Sequence, residues 1–192
     1  METRYLGKSI IFKGAPRKQN FFKICIVGDS GAGKTTILHR YLSGRFKSKA
    51  EITIGSNFFV KYIKLPEVKN LLTLQVWDLA GQEYFKWVRL AFYKSAKGII
   101  YVFDLTRKDT LERLENWKEE IEGQIGSCPS VLVGNKTDLI NPQGQIILNE
   151  EIKKYCQNLG TRAYFETSAK IGTNIDDVFY RIATDMYEYY KE

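Results

Sequence analysis

The stretch FFKICIVGDSGAGKT, residues 21–35, decides the fold of this chain. Its first half, residues 21–28, is apolar and rich in β-branched residues, which predicts a buried strand ending at a glycine. Its second half matches G-x-x-x-x-G-K-[ST], a pattern whose glycines let successive backbone N–H groups converge on phosphate oxygens. Apolar residues at helical spacing follow over residues 37–42, so a helix begins near Lys34 and adds its positive end. This strand–loop–helix unit predicts a nucleoside triphosphate site.

Each residue of the loop has an expected role. Lys34 is expected to reach the β- and γ-phosphates, and the Thr35 hydroxyl to ligate Mg²⁺. We expect the whole segment to cradle the nucleotide through Asp29, Ser30, Gly31, Ala32, Gly33, Lys34, Thr35 and Thr36. The motif alone leaves adenine and guanine equally open.

Strand-like and helix-like patterns alternate after the loop. Residues 57–65 and 71–78 read as an antiparallel hairpin, and residues 98–105, 130–135 and 163–167 as short strands covered on both faces. Helical spacing predicts one helix over residues 111–125, stopped by Gly126, and another over residues 175–186, capped by Asn174. This order predicts an α/β domain with a mostly parallel sheet and helices on both faces.

Composition restricts the classes of protein. The chain has 192 residues, 44% of them hydrophobic and 27% charged, which is typical of one globular domain. No apolar segment is long enough to span a bilayer, and residues 1–20 do not resemble a signal peptide. Three widely spaced cysteines, Cys25, Cys128 and Cys156, favour neither a disulfide framework nor a zinc site. We therefore expect a cytoplasmic protein.

The net charge of +7 is concentrated at the N-terminus. Residues 1–20 contain five basic residues and one acidic residue, so we interpret them as a flexible basic extension and residues 21–192 as the folded domain. Weak membrane contact through this extension, which also carries Leu6, Ile10, Ile11 and Phe12, is an open alternative. Nucleic-acid binding is not expected.

The segment Asn135-Lys136-Thr137-Asp138 predicts the choice of base. It follows a strand at the edge where a parallel sheet binds its ligand. A carboxylate at Asp138 can accept hydrogen bonds from the N1–H and the exocyclic amine of guanine, whereas adenine would leave it unpaired. Asn135 would pin the loop, the Lys136 stem would lie against the base, and the later Ser168-Ala169-Lys170 would offer the Ala169 amide to the guanine carbonyl.

A hydrolytic site is predicted by WDLAGQE, residues 77–83. Asp78 ends a strand and can hold a Mg²⁺ water, the Gly81 amide can approach the γ-phosphate, and Gln82 can orient the attacking water. Thr53, between the first helix and the hairpin, offers a second hydroxyl for Mg²⁺. The predicted catalytic residues are therefore Gln82, Lys34, Thr53 and Gly81, and the predicted metal ligands are Thr35, Thr53 and Asp78. Taken singly, turn and strand roles would explain Asp78, Gly81 and Thr53 equally well.

Five ordered motifs, GDSGAGKT, TIG, WDLAGQE, NKTD and ETSAK, make residues 21–190 resemble the Ras superfamily of small GTPases, and most closely the Rab family. The resemblance implies a three-layer P-loop GTPase domain with a six-stranded sheet and five helices. It also implies hydrolysis of GTP to GDP with Mg²⁺, and two switch segments, around Thr53 and after Asp78, that change with the nucleotide. In such proteins Phe46 would lie against guanine, and Phe58, Trp77 and Tyr93 would contact effectors.

The resemblance further implies a monomer that is served by an activating protein and an exchange factor. No arginine can be assigned as a finger in cis, so we expect slow intrinsic hydrolysis. No cysteine follows Cys156 and residue 2 is glutamate, so we expect no lipidation site within these 192 residues. A nucleotide-locked scaffold with negligible hydrolysis and an ATP-using phosphotransferase are the alternatives.

Overall fold

The strand that precedes the phosphate-binding motif lies in the interior of the sheet, with other strands on both sides. A computed structural model describes residues 21–47, 53–66, 68, 71–140 and 147–191; the predicted basic extension, residues 1–20, lies outside them. The strands are β1 (Phe21–Val27), β2 (Ser56–Ile63), β3 (Leu72–Leu79), β4 (Gly98–Asp104), β5 (Ser130–Asn135) and β6 (Tyr164–Thr167). Their order is β2-β3-β1-β4-β5-β6, with β2 and β3 antiparallel and every other pair parallel. The predicted hairpin and the mostly parallel sheet are thus confirmed.

Helices cover both faces of this sheet. They are α1 (Lys34–Ser43), α2 (Lys86–Tyr93), α3 (Lys108–Glu112), α4 (Leu114–Ile125), α5 (Asn149–Leu159) and α6 (Ile175–Tyr190). The apolar residues of α1 and α6 form one buried cluster with the sheet, and those of α3, α4 and α5 form a second cluster on the opposite face. The predicted α/β class with three layers is therefore confirmed. No helix in the described part of the chain is long and apolar enough to cross a membrane.

Two helix predictions were wrong in detail. The single helix predicted over residues 111–125 begins at Lys108 and is divided at Arg113, a turn residue between α3 and α4. The described residues thus contain six α-helices rather than five. Asn174 is the N-cap residue of α6, as predicted, but its side chain makes no capping hydrogen bond and its amide donates to the Glu166 carbonyl at 2.8 Å.

The packing of α6 on α1 generates a stability prediction. Phe179 is fully buried, and its ring stacks on Tyr41 with centroids 3.8 Å apart. Replacing it with alanine removes that contact and leaves a cavity, so Phe179→Ala should lower the free energy of unfolding by about 3–5 kcal/mol. Urea denaturation measures this loss.

The neighbouring residue supplies a matched control. Tyr180 is 44% exposed on the same helix, so Tyr180→Ala should cost less than about 1 kcal/mol under identical nucleotide conditions. Equal losses for the two variants would contradict the assigned packing.

Candidate functional site

The phosphate loop, residues 28–35, connects β1 to α1 at the carboxyl edge of the sheet. Gly33 has a φ of 97°, and a Cβ on it would lie 2.2 Å from the Asn135 side-chain nitrogen. Glycine is therefore required at Gly33 both by the backbone conformation and by the close approach of β5. The loop thereby presents its backbone toward the strand ends, where a phosphate group would lie.

Lys34 is folded back over this loop. Its ammonium group donates to the carbonyls of Gly28 at 2.7 Å and Asp29 at 3.1 Å, and only 5% of the residue is exposed. Burial lowers the pKa of Lys34 to about 8, against the opposing attraction of the Asp78 and Asp29 charges. A phosphate beside it would favour the charged form, so this lysine fits an anionic ligand better than an empty site.

The three predicted metal ligands lie together. The Thr35 hydroxyl donates to Asp78 Oδ2 at 2.6 Å and shares a hydrogen bond of 2.9 Å with the Thr53 hydroxyl. Asp78 is fully buried, and its Oδ1 has no hydrogen-bond partner among the described residues. Burial raises the pKa of Asp78, while the Thr35 hydrogen bond and the Lys34 charge act in the opposite direction.

This oxygen set fits a hard divalent cation. An orphaned buried carboxylate oxygen beside two hydroxyls is what Mg²⁺ would satisfy, since it prefers oxygen ligands and keeps positions for phosphates and water. Across the described ranges, no group of three His, Cys, Asp or Glu side chains offers a self-sufficient metal site. The remaining ligands would therefore come from the nucleotide and from water.

Gly81 and Gln82 lie beside the phosphate loop. A Cβ on Gly81 would approach the Lys34 ammonium nitrogen and the Ser30 amide nitrogen at 2.5 Å each, so no larger residue fits without displacement. Gln82 follows directly and is partly exposed, just before the 3₁₀ turn Glu83–Phe85. The structure thus brings Gly81 against Lys34 and the phosphate loop, with Gln82 next in the chain.

Asn135 ties the end of β6 and the loop after it to the phosphate loop. Its side-chain nitrogen donates to the Ala32 carbonyl at 2.9 Å, and its Oδ1 accepts from the Thr167 hydroxyl at 3.2 Å and the Ala169 N–H at 3.3 Å. Asn135 therefore holds three segments together. The Ala169 N–H, which we expected to serve the guanine carbonyl, is already bonded to Asn135, so a base would have to share this donor.

The carboxylate predicted to read the base lies among polar groups. Asp138 accepts a hydrogen bond from the Ser168 hydroxyl at 2.5 Å and faces the Lys170 ammonium at 3.9 Å. Lys136 pairs with the buried Asp104 at 2.7 Å. Sequence analysis overlooked Asp104, although its position at the end of β4, on the same edge of the sheet, was a usable signal.

Arg40 is a second residue that sequence analysis missed. From the last turn of α1 it donates to the carbonyls of Ala169 at 2.8 Å, Gly44 at 2.8 Å and Lys170. This side chain therefore fixes the loop after β6 onto α1. No local pattern could have found it, because two of its acceptors are backbone oxygens about 130 residues away. Phe46, slightly further along, is exposed, and its stacking on a base stays a prediction.

The predicted effector aromatics need one correction. Phe58 on β2 is 47% exposed and packs on Trp77 of β3 with centroids 5.0 Å apart. Tyr93, in contrast, is fully buried and donates its hydroxyl to Glu120 at 2.7 Å, so its predicted exposure was wrong. The preceding Phe92 packs on Trp77 at 5.1 Å instead, because consecutive residues of a helix point in directions about 100° apart.

Two further aromatics project from the segment that contains Gln82. Tyr84 and Trp87 are 86% and 85% exposed, which is unusual for such large apolar side chains. We define Phe58, Trp77, Phe92, Tyr84 and Trp87 together as the aromatic surface. Sequence analysis had singled out only Phe58 and Trp77 of these.

Known proteins are similar in sequence to this chain over the residues that form the sheet and the site. A family model described as the Ras family matches residues 23–188. The chain is 37% identical to the Ras-related protein RABG3f of Arabidopsis thaliana over 174 residues, covering 88% of this chain and 84% of the relative. It is also 37% identical to the Ras-related protein Rab7 of Cenchrus ciliaris over 170 residues, covering 86% and 82%. With this family match spanning the sheet and the site, the chain belongs to the Ras family and is a Rab-like small GTPase.

Proposed function

We propose that this chain is a guanine-nucleotide switch that binds GTP with Mg²⁺, hydrolyses it to GDP and phosphate, and recruits effectors in the GTP state. The observation that carries the proposal is the convergence of Thr35, Thr53 and Asp78 beside Lys34 and Gly81. Similarity to proteins named Rab7 favours a role in membrane traffic, as a cytoplasmic protein acting at a membrane surface.

The phosphate end of the site has the groups that hydrolysis requires. Thr35, Thr53 and Asp78 would hold Mg²⁺, which would supply positive charge to stabilise the negative charge of the phosphate oxygens. Lys34 would place its buried ammonium on the same phosphates, and the Gly81 N–H would donate to the γ-phosphate. Gln82 would orient the attacking water in line with the leaving group.

The base end supplies specificity for guanine. Asp138 is mostly buried and would accept hydrogen bonds from the N1–H and the 2-amino group, which adenine lacks at these positions. Lys136 would lie along the base while its ammonium stays paired with Asp104. Asn135 would keep this end in register with the phosphate loop.

The aromatic surface would connect the nucleotide to partners. Its members come from β2, β3, the 3₁₀ turn Glu83–Phe85 and α2, so it borders both the segment near Thr53 and the segment after Asp78. Exposed aromatic residues are the side chains most often found at the centre of protein interfaces. We propose that effectors bind here, and that an activating protein and an exchange factor act on the adjoining switch segments.

One experiment tests the whole proposal. The nucleotide extracted from purified protein is identified by chromatography, and phosphate release from added GTP is then followed with and without magnesium. We expect guanosine nucleotides and slow, magnesium-dependent release. Binding of GTP without any release would favour the nucleotide-locked scaffold, and a preference for ATP would refute the assignment of Asp138.

The role of Gln82 generates a mutational prediction. Gln82→Leu removes the group that orients water but touches none of the groups proposed to hold phosphate, so GTP binding should persist. Single-turnover hydrolysis should fall by about tenfold or more. Tyr84→Leu, an identical replacement two residues away at an exposed position, should hydrolyse GTP at the parent rate; equal rates for parent and Gln82→Leu would refute the role.

Arg40 generates a prediction for nucleotide retention. Arg40→Met removes three hydrogen bonds to backbone carbonyls, two of which hold the Ala169–Lys170 loop, so the base end should open more readily. The dissociation rate of a fluorescent GDP should rise about tenfold, which corresponds to about 1.4 kcal/mol. Arg45→Met, an exposed arginine just beyond α1, is the control; a GDP dissociation rate unchanged in Arg40→Met would contradict the clamp.

A further inference from the structure

Arg89 is an arginine buried between α2 and α4, with only 1% of the residue exposed. Its Nε and Nη2 donate to the two carboxylate oxygens of Glu120 at 3.0 and 2.9 Å. The Tyr93 hydroxyl donates to Glu120 as well, at 2.7 Å. This two-point pairing fixes the plane of the guanidinium group and aims its remaining nitrogen in one direction.

The remaining nitrogen, Nη1, is hydrogen-bonded to the backbone on both sides of Gly81. Arg89 Nη1 donates to the Gln82 carbonyl at 2.6 Å and to the Ala80 carbonyl at 3.3 Å. The Ala80 carbonyl and the Gly81 N–H belong to one planar trans peptide and point in opposite directions. Holding that carbonyl toward Arg89 therefore turns the Gly81 N–H away from α4.

The same network reaches the phosphate loop. The Arg89 guanidinium stacks on the Trp117 ring, 4.2 Å from its centroid, and the Trp117 indole donates to Asp29 Oδ1 at 2.9 Å. Arg113 pairs with the other Asp29 oxygen. Residues 80–82 and the phosphate loop are thus both anchored to α4, which fixes their relative position.

Packing alone would not require this arrangement. Burying a guanidinium and a carboxylate costs several kcal/mol, which is recovered only when the pair is well aligned and fully hydrogen-bonded. Apolar side chains would fill the space between α2 and α4 with less loss of hydration. What an apolar pair could not do is donate hydrogen bonds to the carbonyls of Ala80 and Gln82.

We propose that Arg89, oriented by Glu120, is a positioning residue for GTP hydrolysis. It holds the Ala80–Gln82 backbone so that the Gly81 N–H and the Gln82 side chain are presented to the γ-phosphate. The inference rests on the proposed function of Gly81 and Gln82. It adds that the hydrolysis rate and the preference for a γ-phosphate depend on a residue that touches neither nucleotide nor water.

The test compares three readouts in Arg89→Lys and Glu120→Gln. A lysine can still pair with Glu120 but cannot reach the two carbonyls at the same time, and a glutamine loses the charge that aligns the arginine. In both variants single-turnover GTP hydrolysis should fall about tenfold or more. Affinity for a hydrolysis-resistant GTP analogue relative to GDP should fall at least about threefold, while the GDP dissociation rate stays within about threefold of the parent.

Glu119→Gln is the matched control, because Glu119 is exposed on the same helix and should leave all three readouts unchanged. Hydrolysis at the parent rate in Arg89→Lys would overturn the proposal. Equal losses in GDP retention and hydrolysis would also overturn it, since they indicate a purely structural role. If Arg89→Lys does not fold, Tyr93→Phe weakens the orientation of Glu120 without removing a charge and should lower hydrolysis selectively.

Different results would refute the proposed GTPase function and the positioning role of Arg89. A parent chain that does not hydrolyse GTP, or a Gln82→Leu variant that hydrolyses it normally, would refute the proposed function. A parent chain that needs Gln82 but not Arg89 would refute only the positioning role.

Discussion

The parallel register between β1 and β3 is the constraint on which the rest of the site depends. Ile26 pairs with Asp78, so the carboxylate that ends β3 lies beside the strand that feeds the phosphate loop. A shift of one residue would turn Asp78 to the other face of the sheet and break its hydrogen bond with Thr35. The buried apolar residues of β1, on both faces of the sheet, hold that register.

The phosphate loop is held in place by the protein from two sides. Asn135 at the end of β5 bonds the Ala32 carbonyl, and Trp117 of α4 and Arg113 just before α4 bond the Asp29 carboxylate. These contacts hold the loop in its shape through side chains of the protein itself. Such preorganisation lowers the cost of binding phosphate, because the donors are already oriented when the anion arrives.

Much of this architecture could be predicted from sequence because it rests on local patterns. The strands read correctly to within two residues, since buried parallel strands form short apolar segments bounded by turns. The phosphate loop could be predicted for the same reason, because its geometry depends on glycines and a lysine that lie close together in the sequence. The split at Arg113 was not visible, because the apolar spacing continues across it from α3 into α4.

What sequence could not show were contacts between distant residues. Arg40 acts on carbonyls about 130 residues away, and Arg89 on a carboxylate 31 residues away, so neither forms a local pattern. Phe92 and Tyr93 are adjacent aromatics, and only the direction in which α2 packs decides which of them is buried. Residue type alone does not tell which of the two aromatics is buried, and the packing of α2 in the folded chain does.

Arg40 and Arg89 use the same chemistry at opposite ends of the proposed nucleotide site. Each donates from a helix to backbone carbonyls, Arg40 at the proposed base end and Arg89 at the proposed phosphate end. The base is common to GTP and GDP, so the first clamp would serve both. The second holds residues that only a γ-phosphate would contact.

Because Arg89 and the exposed Trp87 share the eight-residue helix α2, any movement of residues 80–82 that disturbs Arg89 would also move part of the aromatic surface. In the proposed function, loss of the γ-phosphate beside residues 80–82 would therefore change the aromatic surface that an effector contacts.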